Sequence, residues 1–198
     1  MDIETLAKRY QQCTMCPLHQ RRTRVVMGEG NPHSLIMIVG EGPGADEDRQ
    51  GRPFVGKAGQ LLDKILEAAE IPRQEIFITN IVKCRPPGNR TPRDEEMDTC
   101  ISILRQQFVL IRPRIIVTLG AAPTRALIDP SARITRVRGK WIERKGVLFM
   151  PTYHPAYLLR NPGAKREAWE DFKQIRDAYQ KLLNKQHSSF DEEKTGRE

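Results

Sequence analysis

Hydrophobic residues fall in short unbroken runs separated by amphipathic stretches. Four runs rich in β-branched residues cover positions 35–40, 76–80, 115–120 and 146–151, and each ends at a glycine, an asparagine or a proline. Runs of this length without alternation are typical of strands that are buried on both faces of a sheet. The pattern therefore predicts four buried strands.

Helical periodicity fills the intervals between these runs. Apolar residues recur every three to four positions over 61–69 and again over 169–182, which is typical of helices with one buried face. A third helix is predicted to have Thr91 as its N-cap and to end at Arg112, with Cys100 near its middle. Strands that alternate with helices predict an α/β fold. We expect a single three-layer αβα domain whose mostly parallel, four-stranded sheet has helices on both faces.

Composition adds a partner class and an expected location. Of the 198 residues, 33 are Lys or Arg and 25 are Asp or Glu, which gives a formal net charge of +8. This excess favours a polyanion such as nucleic acid, although many basic proteins bind none. The longest apolar run is too short for a bilayer and no secretory signal is visible, so we expect a cytoplasmic protein without membrane contact. The domain is predicted to cover 1–184, with a disordered polar tail over 185–198.

Cysteine spacing is the strongest chemical signal. Cys13 and Cys16 form a C-x2-C pair, Cys84 follows the second strand, and Cys100 lies one helix length further on. Four such thiolates can share one soft-metal centre. Two disulfides or four unrelated buried thiols are weaker alternatives in a cytoplasmic protein. A structural zinc ion stays open, while the split second pair favours an iron-sulfur cluster.

Polar groups follow the predicted strands, and ligands of parallel sheets bind at the carboxyl ends of strands. Residues 40–44 (Gly-Glu-Gly-Pro-Gly) form a glycine-rich loop that matches neither the Walker nor the dinucleotide motif, and a plain turn is the alternative. Asn80 ends the second strand, where its amide can read a base edge or cap a turn. His154 follows the fourth strand and is either functional or structural.

Four ordered motifs carry a resemblance to a known family. They are the 40–44 loop, residues 51–56 (Gly-Arg-Pro-Phe-Val-Gly), residues 79–87 (Thr-Asn-Ile-Val-Lys-Cys-Arg-Pro-Pro) and residues 154–160 (His-Pro-Ala-Tyr-Leu-Leu-Arg). Together they resemble the family four uracil-DNA glycosylases over about residues 10–183. The resemblance implies a DNA repair enzyme that flips uracil out of DNA and hydrolyses its N-glycosidic bond. It also implies a [4Fe-4S] cluster held by Cys13, Cys16, Cys84 and Cys100.

The resemblance further implies roles for single residues. Phe54 would stack on the base, Asn80 would pair with its N3–H and O4 edge, and His154 would stabilise charge on O2. Glu47 would crowd C5 and exclude thymine. Glu41 is the nearest ionisable group for orienting water or stabilising the sugar cation, because Gly42 occupies the position of an aspartate in other families. The implied catalytic residues are Glu41, Asn80 and His154, and the implied substrate-binding residues are Gly40, Glu41, Gly42, Glu47, Phe54, Asn80 and His154.

DNA contacts are predicted beside two of these motifs. Lys83 and Arg85 would engage phosphates, while Leu158 or Leu159 would fill the vacated stack with Arg160 beside them. The alternatives are a solvated basic face and two core leucines. The expected partner is uracil-containing DNA, single- or double-stranded, bound by a monomer. The sequence contains no motif from which a contact with a replication clamp could be predicted.

Two other functions compete with this interpretation. A non-catalytic electron carrier would use the cluster itself, but ferredoxins gather their cysteines in tighter runs. A uracil-DNA binding protein of the trapping branch would need a histidine in an insertion after Cys84. Residues 85–92 contain no histidine and no insertion.

Overall fold

A six-stranded mixed sheet forms the centre of the structure. The computed structural model describes the backbone of residues 1–195 and the side chains of residues 1–185. The strands within this part of the chain are β1 Glu29–Gly30, β2 Ile36–Gly40, β3 Phe77–Asn80, β4 Ile115–Leu119, β5 Ile142–Arg144 and β6 Val147–Thr152. Their order across the sheet is β1-β3-β2-β4-β6-β5.

The four predicted strands form the parallel middle of this sheet, but the expectation of a four-stranded sheet is wrong. β3, β2, β4 and β6 pair in parallel, while β1 and β5 add antiparallel pairs at the two edges. The edge strands have only two and three residues and are partly exposed, so no apolar run marks them. In register, Gly40 lies opposite Asn80 and Leu119 opposite Thr152, which brings the strand ends to one edge.

Helices cover both faces of the sheet. The described helices are α1 Ile3–Tyr10, α2 Ala45–Gln50, α3 Lys57–Ala68, α4 Asp94–Ile111, α5 Ala121–Leu127, α6 Ile134–Val137, α7 Pro155–Arg160 and α8 Lys165–Thr195. On one face, Met37 shares a buried core with Leu6 of α1 and Leu104 of α4. On the other face, Ile38 shares a core with α3 and with Phe172 of α8. Each buried side chain of this size stabilises the fold by roughly 1.5–3 kcal/mol, so the two cores fix the helices on the sheet.

Helix α4 begins later than the sequence predicted. The predicted N-cap, Thr91, is two residues early, because Arg93 occupies that position. The buried carboxylate of Glu96 accepts a hydrogen bond from the Arg93 N–H (2.8 Å) and two from the Arg90 guanidinium (2.7 and 2.8 Å), which replaces the expected hydroxyl cap. The predicted end is confirmed, since Arg112 leaves the helix in a left-handed conformation with φ of 54°.

The C-terminal helix continues past the predicted domain boundary. α8 runs through Thr195, and residues 196–198 lie outside the described residues. The boundary at 184 and the disordered tail over 185–198 therefore stay predictions. Among the described helices, none combines the length and apolarity needed to cross a membrane.

Candidate active site and cysteine cavity

A cleft of about 610 Å³ opens at the carboxyl edge of the parallel strands. β3 and β4 flank β2 on opposite sides, and open α/β sheets bind ligands where the strand order reverses in this way. The residues proposed from sequence for substrate binding come together here. The lining includes Glu41, Gly42, Glu47, Phe54, Asn80 and His154, and Gly40 lies behind Phe54 and Asn80.

Asn80 presents an unpaired acceptor within this cleft. The residue is only 1% exposed, and its Oδ1 atom has no hydrogen-bond partner within the described part of the chain. A buried polar atom left in this state costs about 1–3 kcal/mol, which a ligand with a matching donor would recover. A methyl group at Gly40 would lie 2.4 Å from Oδ1 and 2.6 Å from Cζ of Phe54. Glycine at position 40 therefore lets the amide and the aromatic ring converge.

Phe54 is held in an unusual backbone conformation. Its φ is 52°, and this left-handed region costs a residue with a Cβ about 1–2 kcal/mol. The Glu47 carboxylate stabilises the loop by accepting hydrogen bonds from the N–H groups of Gly44 (3.1 Å), Val55 (2.9 Å) and Gly56 (2.8 Å). Strain of this kind persists only where the surrounding contacts enforce it, and it is common at functional sites.

His154 caps helix α7 and faces the cleft as a neutral imidazole. Burial lowers the pKa of His154 to about 4, and the nearby charge of Arg160 acts in the same direction. Its Nδ1 atom accepts a hydrogen bond from the Ala156 N–H at 3.1 Å, so the proton of the neutral ring lies on Nε2. The ring centroid is 5.6 Å from that of Phe54. The cleft thus contains a stacking surface beside a fixed N–H donor.

Glu41 is the ionisable side chain that follows β2 into the cleft. Burial raises the pKa of Glu41 above its ordinary value, although a hydrogen bond with Thr91 and the charge of Arg125 oppose that rise. The next residue, Gly42, leaves little room for a side chain, since an added Cβ would lie 2.8 Å from Cγ2 of Val82. Glu41 is therefore the carboxyl group available at this strand end.

The four cysteines line one cavity at the opposite side of the β3 end. Cys13, Cys16, Cys84 and Cys100 all contribute to it. The Arg22 guanidinium donates hydrogen bonds to Sγ of Cys84 (3.1 Å) and to the carbonyl oxygen of Cys13 (2.6 Å). The backbone N–H of residue 83 donates to Sγ of Cys100 at 3.3 Å. Arg22 was not found from the sequence, because no motif connects it with the distant Cys84.

Across residues 1–185, no three Cys, His, Asp or Glu side chains converge closely enough to hold a single metal ion. Burial raises the pKa of Cys84 to about 11, against the opposing influence of Arg22. A buried thiol of this kind becomes a thiolate only beside a cationic centre.

Two predicted DNA contacts are wrong because their side chains are buried. Lys83 is 1% exposed, and its ammonium donates to Oγ1 of Thr79 (2.6 Å), the carbonyl oxygen of Asn80 (2.7 Å) and Oε1 of Gln107 (2.7 Å). Burial lowers the pKa of Lys83 to about 7. Leu158 is 1% exposed and belongs to a small core cluster. Neither side chain is exposed for a contact with DNA in this structure.

The other predicted DNA contacts lie at the surface. Leu159 is 44% exposed, and Arg160 lines the mouth of the cleft. Arg85 is half-buried and donates from Nε to Oδ1 of Asn89 at 2.7 Å. Tyr157, which the sequence reasoning did not single out, also lines the cleft and is 37% exposed. Its position within the 154–160 motif was the available signal.

Comparison with known proteins adds an independent finding. A family model described as the uracil DNA glycosylase superfamily matches residues 27–173. The chain is 49% identical to the type-4 uracil-DNA glycosylase of Thermotoga maritima over 80% of this chain and 84% of that protein. It is 45% identical to a Sulfurisphaera tokodaii protein of the same name, over 88% and 84% of the two chains. A Pyrobaculum aerophilum protein, again of that name, is 44% identical over 86% and 91%.

Proposed function

Because the chain belongs to the type-4 uracil-DNA glycosylases, we propose that it excises uracil from DNA by hydrolysing the N-glycosidic bond and leaving an abasic site. The 610 Å³ cleft is large enough for a flipped nucleotide. Flipping costs a few kcal/mol of lost stacking and pairing, which contacts to the extruded base would offset. We assign this activity to the single domain over 1–184, acting as a monomer on single- or double-stranded DNA.

The unpaired Oδ1 atom of Asn80 is the observation that carries this proposal. The N3–H of uracil would donate to Oδ1, and the Nδ2 group would donate to O4. Cytosine offers the opposite pattern, with an acceptor at N3 and a donor at the 4-amino group. A fixed amide therefore selects uracil over cytosine, while the ring of Phe54 would stack on the base.

His154 would stabilise the leaving group. As the glycosidic bond breaks, negative charge grows on the uracil ring and is shared by O2. A neutral imidazole with its proton on Nε2 would donate that N–H to O2 and so stabilise the developing charge. Loss of one preorganised donor to a developing anion typically slows chemistry by about 100- to 1,000-fold.

Glu41 would act on the sugar side of the bond. A carboxylate there can orient the attacking water or stabilise the positive charge that develops on the sugar. The tight packing around Gly42 supports this role for Glu41, since position 42 has no room for an aspartate without movement of Val82. Glu47, with its carboxylate fixed by three N–H groups at the cleft wall, would crowd C5 and exclude thymine.

The four-cysteine cavity would hold a [4Fe-4S] cluster. The four sulfurs that line this cavity would supply the thiolate ligands that such a cluster takes. Arg22 fits such a group, because its guanidinium donates to Sγ of Cys84. When bound, the cluster would tie the N-terminal segment to the end of β3 and to α4, and so stabilise the fold.

The DNA interface would flank the cleft. Leu159 and Tyr157 are exposed apolar side chains on α7, and Tyr157 lines the cleft, so one of them would enter the gap that the flipped nucleotide leaves. Arg85 and Arg160 would neutralise phosphates on either side. This arrangement would place positive charge beside the recognition pocket.

A uracil-release assay tests the proposal. Purified protein is incubated with an oligonucleotide that contains one uracil, and alkali then cleaves any abasic site. Strand scission is expected with uracil and not with cytosine at the same position. Asn80→Ala should abolish scission, whereas Asn31→Ala, at a half-buried asparagine outside the cleft, should not. Absence of scission by the wild-type holoprotein on both single- and double-stranded substrates would overturn the proposal.

A further inference from the structure

The strained conformation of Phe54 needs support on both of its flanking peptides. On the C-terminal side, the Glu47 carboxylate accepts the N–H groups of Val55 and Gly56, at 2.9 and 2.8 Å. On the helix side, an added Cβ at Gly59 would lie 1.9 Å from the carbonyl oxygen of Phe54, so α3 packs directly on this backbone. Neither contact fixes the peptide group that precedes Phe54, between Pro53 and Phe54.

Arg73 supplies that contact from outside the cleft. Its Nη2 atom donates to the carbonyl oxygen of Pro53 at 2.9 Å. The same guanidinium pairs with Glu29, with Nη2 to Oε1 at 3.3 Å, and with the carboxylate of Asp63 on α3. Arg73 is 26% exposed and does not line the cleft. Its guanidinium is thus held by Glu29 of the edge strand β1 and by Asp63 of α3, while Nη2 also donates to the loop that carries Phe54.

A comparison with Arg52 distinguishes the hydrogen bond to Pro53 from the ion pair with Glu29. Arg52 also binds Glu29, with Nε to Oε2 at 2.8 Å and Nη2 to Oε1 at 3.1 Å. Its side chain is 60% exposed, and no hydrogen bond from it to Pro53 occurs among the described residues. Arg52 and Arg73 therefore share one carboxylate, but only Arg73 reaches the peptide before Phe54.

We propose that Arg73 is a positioning residue for base recognition, which holds the ring of Phe54 at the stacking position by fixing the Pro53 carbonyl group. This inference rests on the proposed function, because it assumes that Phe54 stacks on uracil. Without the Arg73 contact, the 53–54 peptide can rotate and φ of Phe54 can relax from 52° towards the ordinary region. The ring would then leave its place beside Gly40 and the side-chain amide of Asn80.

The test compares Arg73→Gln with the matched control Arg52→Gln. We expect Arg73→Gln to lower kcat/KM on uracil DNA by roughly 10-fold and to weaken inhibition by free uracil, as loss of a charge-assisted hydrogen bond at a preorganised site would. Arg52→Gln and Asp63→Asn should change both quantities less than about 2-fold. Melting temperatures measured on all three variants separate a change of recognition from a general loss of stability.

A double-mutant cycle shows whether Arg73 acts through Phe54. Phe54→Leu should itself reduce excision, and Arg73→Gln should add less than about 2-fold in that background, because residues in one pathway are not additive. Arg73→Lys keeps one cationic donor and should retain intermediate activity, so it serves in place of the glutamine variant if that variant folds poorly.

Each result bears on a different claim. If Arg73→Gln matches Arg52→Gln, or if its effect multiplies with that of Phe54→Leu, the positioning role is wrong while the glycosylase activity stands. If the wild-type protein releases no uracil, the proposed function fails first. Weakened uracil inhibition in Arg73→Gln with an unchanged melting temperature supports the inference.

Discussion

The protonation state of His154 gives a prediction that can be worked out from the structure. Its pKa is lowered to about 4 by burial and by the charge of Arg160. At pH 5.5 a group with that pKa is about 97% neutral, whereas an ordinary histidine with a pKa of about 6.5 is only about 9% neutral. If the neutral Nε2–H donor stabilises the leaving base, lowering the pH from 7.5 to 5.5 should leave the His154 contribution almost unchanged. An unperturbed histidine in the same role would lose about 10-fold.

Single-turnover excision rates between pH 5 and 8 measure this directly. Glu41→Gln is the control, because burial also raises the pKa of Glu41 and its protonation would contribute a separate decline at acid pH. NMR of the imidazole C–H groups reports the pKa of His154 itself. A rate that falls about 10-fold between pH 7.5 and 5.5 in the Glu41→Gln variant, in step with a His154 titration near pH 6.5, would refute the reasoning.

The same perturbation has a consequence for stability. Because the pKa of His154 is depressed in the folded state, the unfolded chain binds more protons between about pH 6.5 and pH 4. The contribution of the neutral residue to stability is therefore complete above about pH 6.5 and is lost as the pH falls, by about 2 kcal/mol at pH 5. His154→Gln should flatten the dependence of the melting temperature on pH in this window. An unchanged slope would place the titration elsewhere.

Three further outcomes are expected. Asn80→Asp replaces the amide donor with a carboxylate, so uracil excision should collapse while any residual cytosine excision rises; near-wild-type uracil rates would remove Asn80 from the site. The purified protein should carry about four iron and four sulfide per chain, and Cys84→Ser should lose both and melt at a lower temperature. Stoichiometric zinc without sulfide would contradict the cluster. DNA binding should weaken with salt, and Arg85→Ala should lower the slope of log affinity against log salt concentration by about one. Lys83→Met should leave that slope unchanged and reduce the stability of the protein. Equal slopes for wild type and Arg85→Ala would exclude the phosphate contact.

The central strands and the cleft residues were predictable because both depend on local signals. A fully buried strand must be apolar along its whole length, and a parallel sheet brings strand ends to one edge. The edge strands could not be predicted in the same way, since β1 has two residues and β5 has three, and their pairing depends on neighbours far along the chain. Glycine at position 40 looked like part of a turn; only the structure brings Asn80 and Phe54 within 3 Å of the space a side chain would fill.

The error at Lys83 has a physical origin. Exposure was inferred from its charge, yet a long side chain takes its surroundings from the segment that carries it. For Leu158, the structure agrees with the alternative of a core leucine. The two residues before Lys83, Ile81 and Val82, are fully buried, so the chain is still inside the core where the lysine occurs. An ammonium group can remain there only with acceptors, and Gln107 on α4 is one that no sequence pattern connects with it.

The buried lysine also explains how one short segment can serve both sites. Asn80 lines the cleft, and four residues later Cys84 lines the cysteine cavity. Between them, the ammonium of Lys83 binds the carbonyl oxygen of Asn80 at 2.7 Å, while its backbone N–H donates to Sγ of Cys100 at 3.3 Å. The segment after β3 cannot move at one end without disturbing hydrogen bonds at the other. A cluster held by Cys84 and Cys100 would therefore stiffen the backbone that carries Asn80.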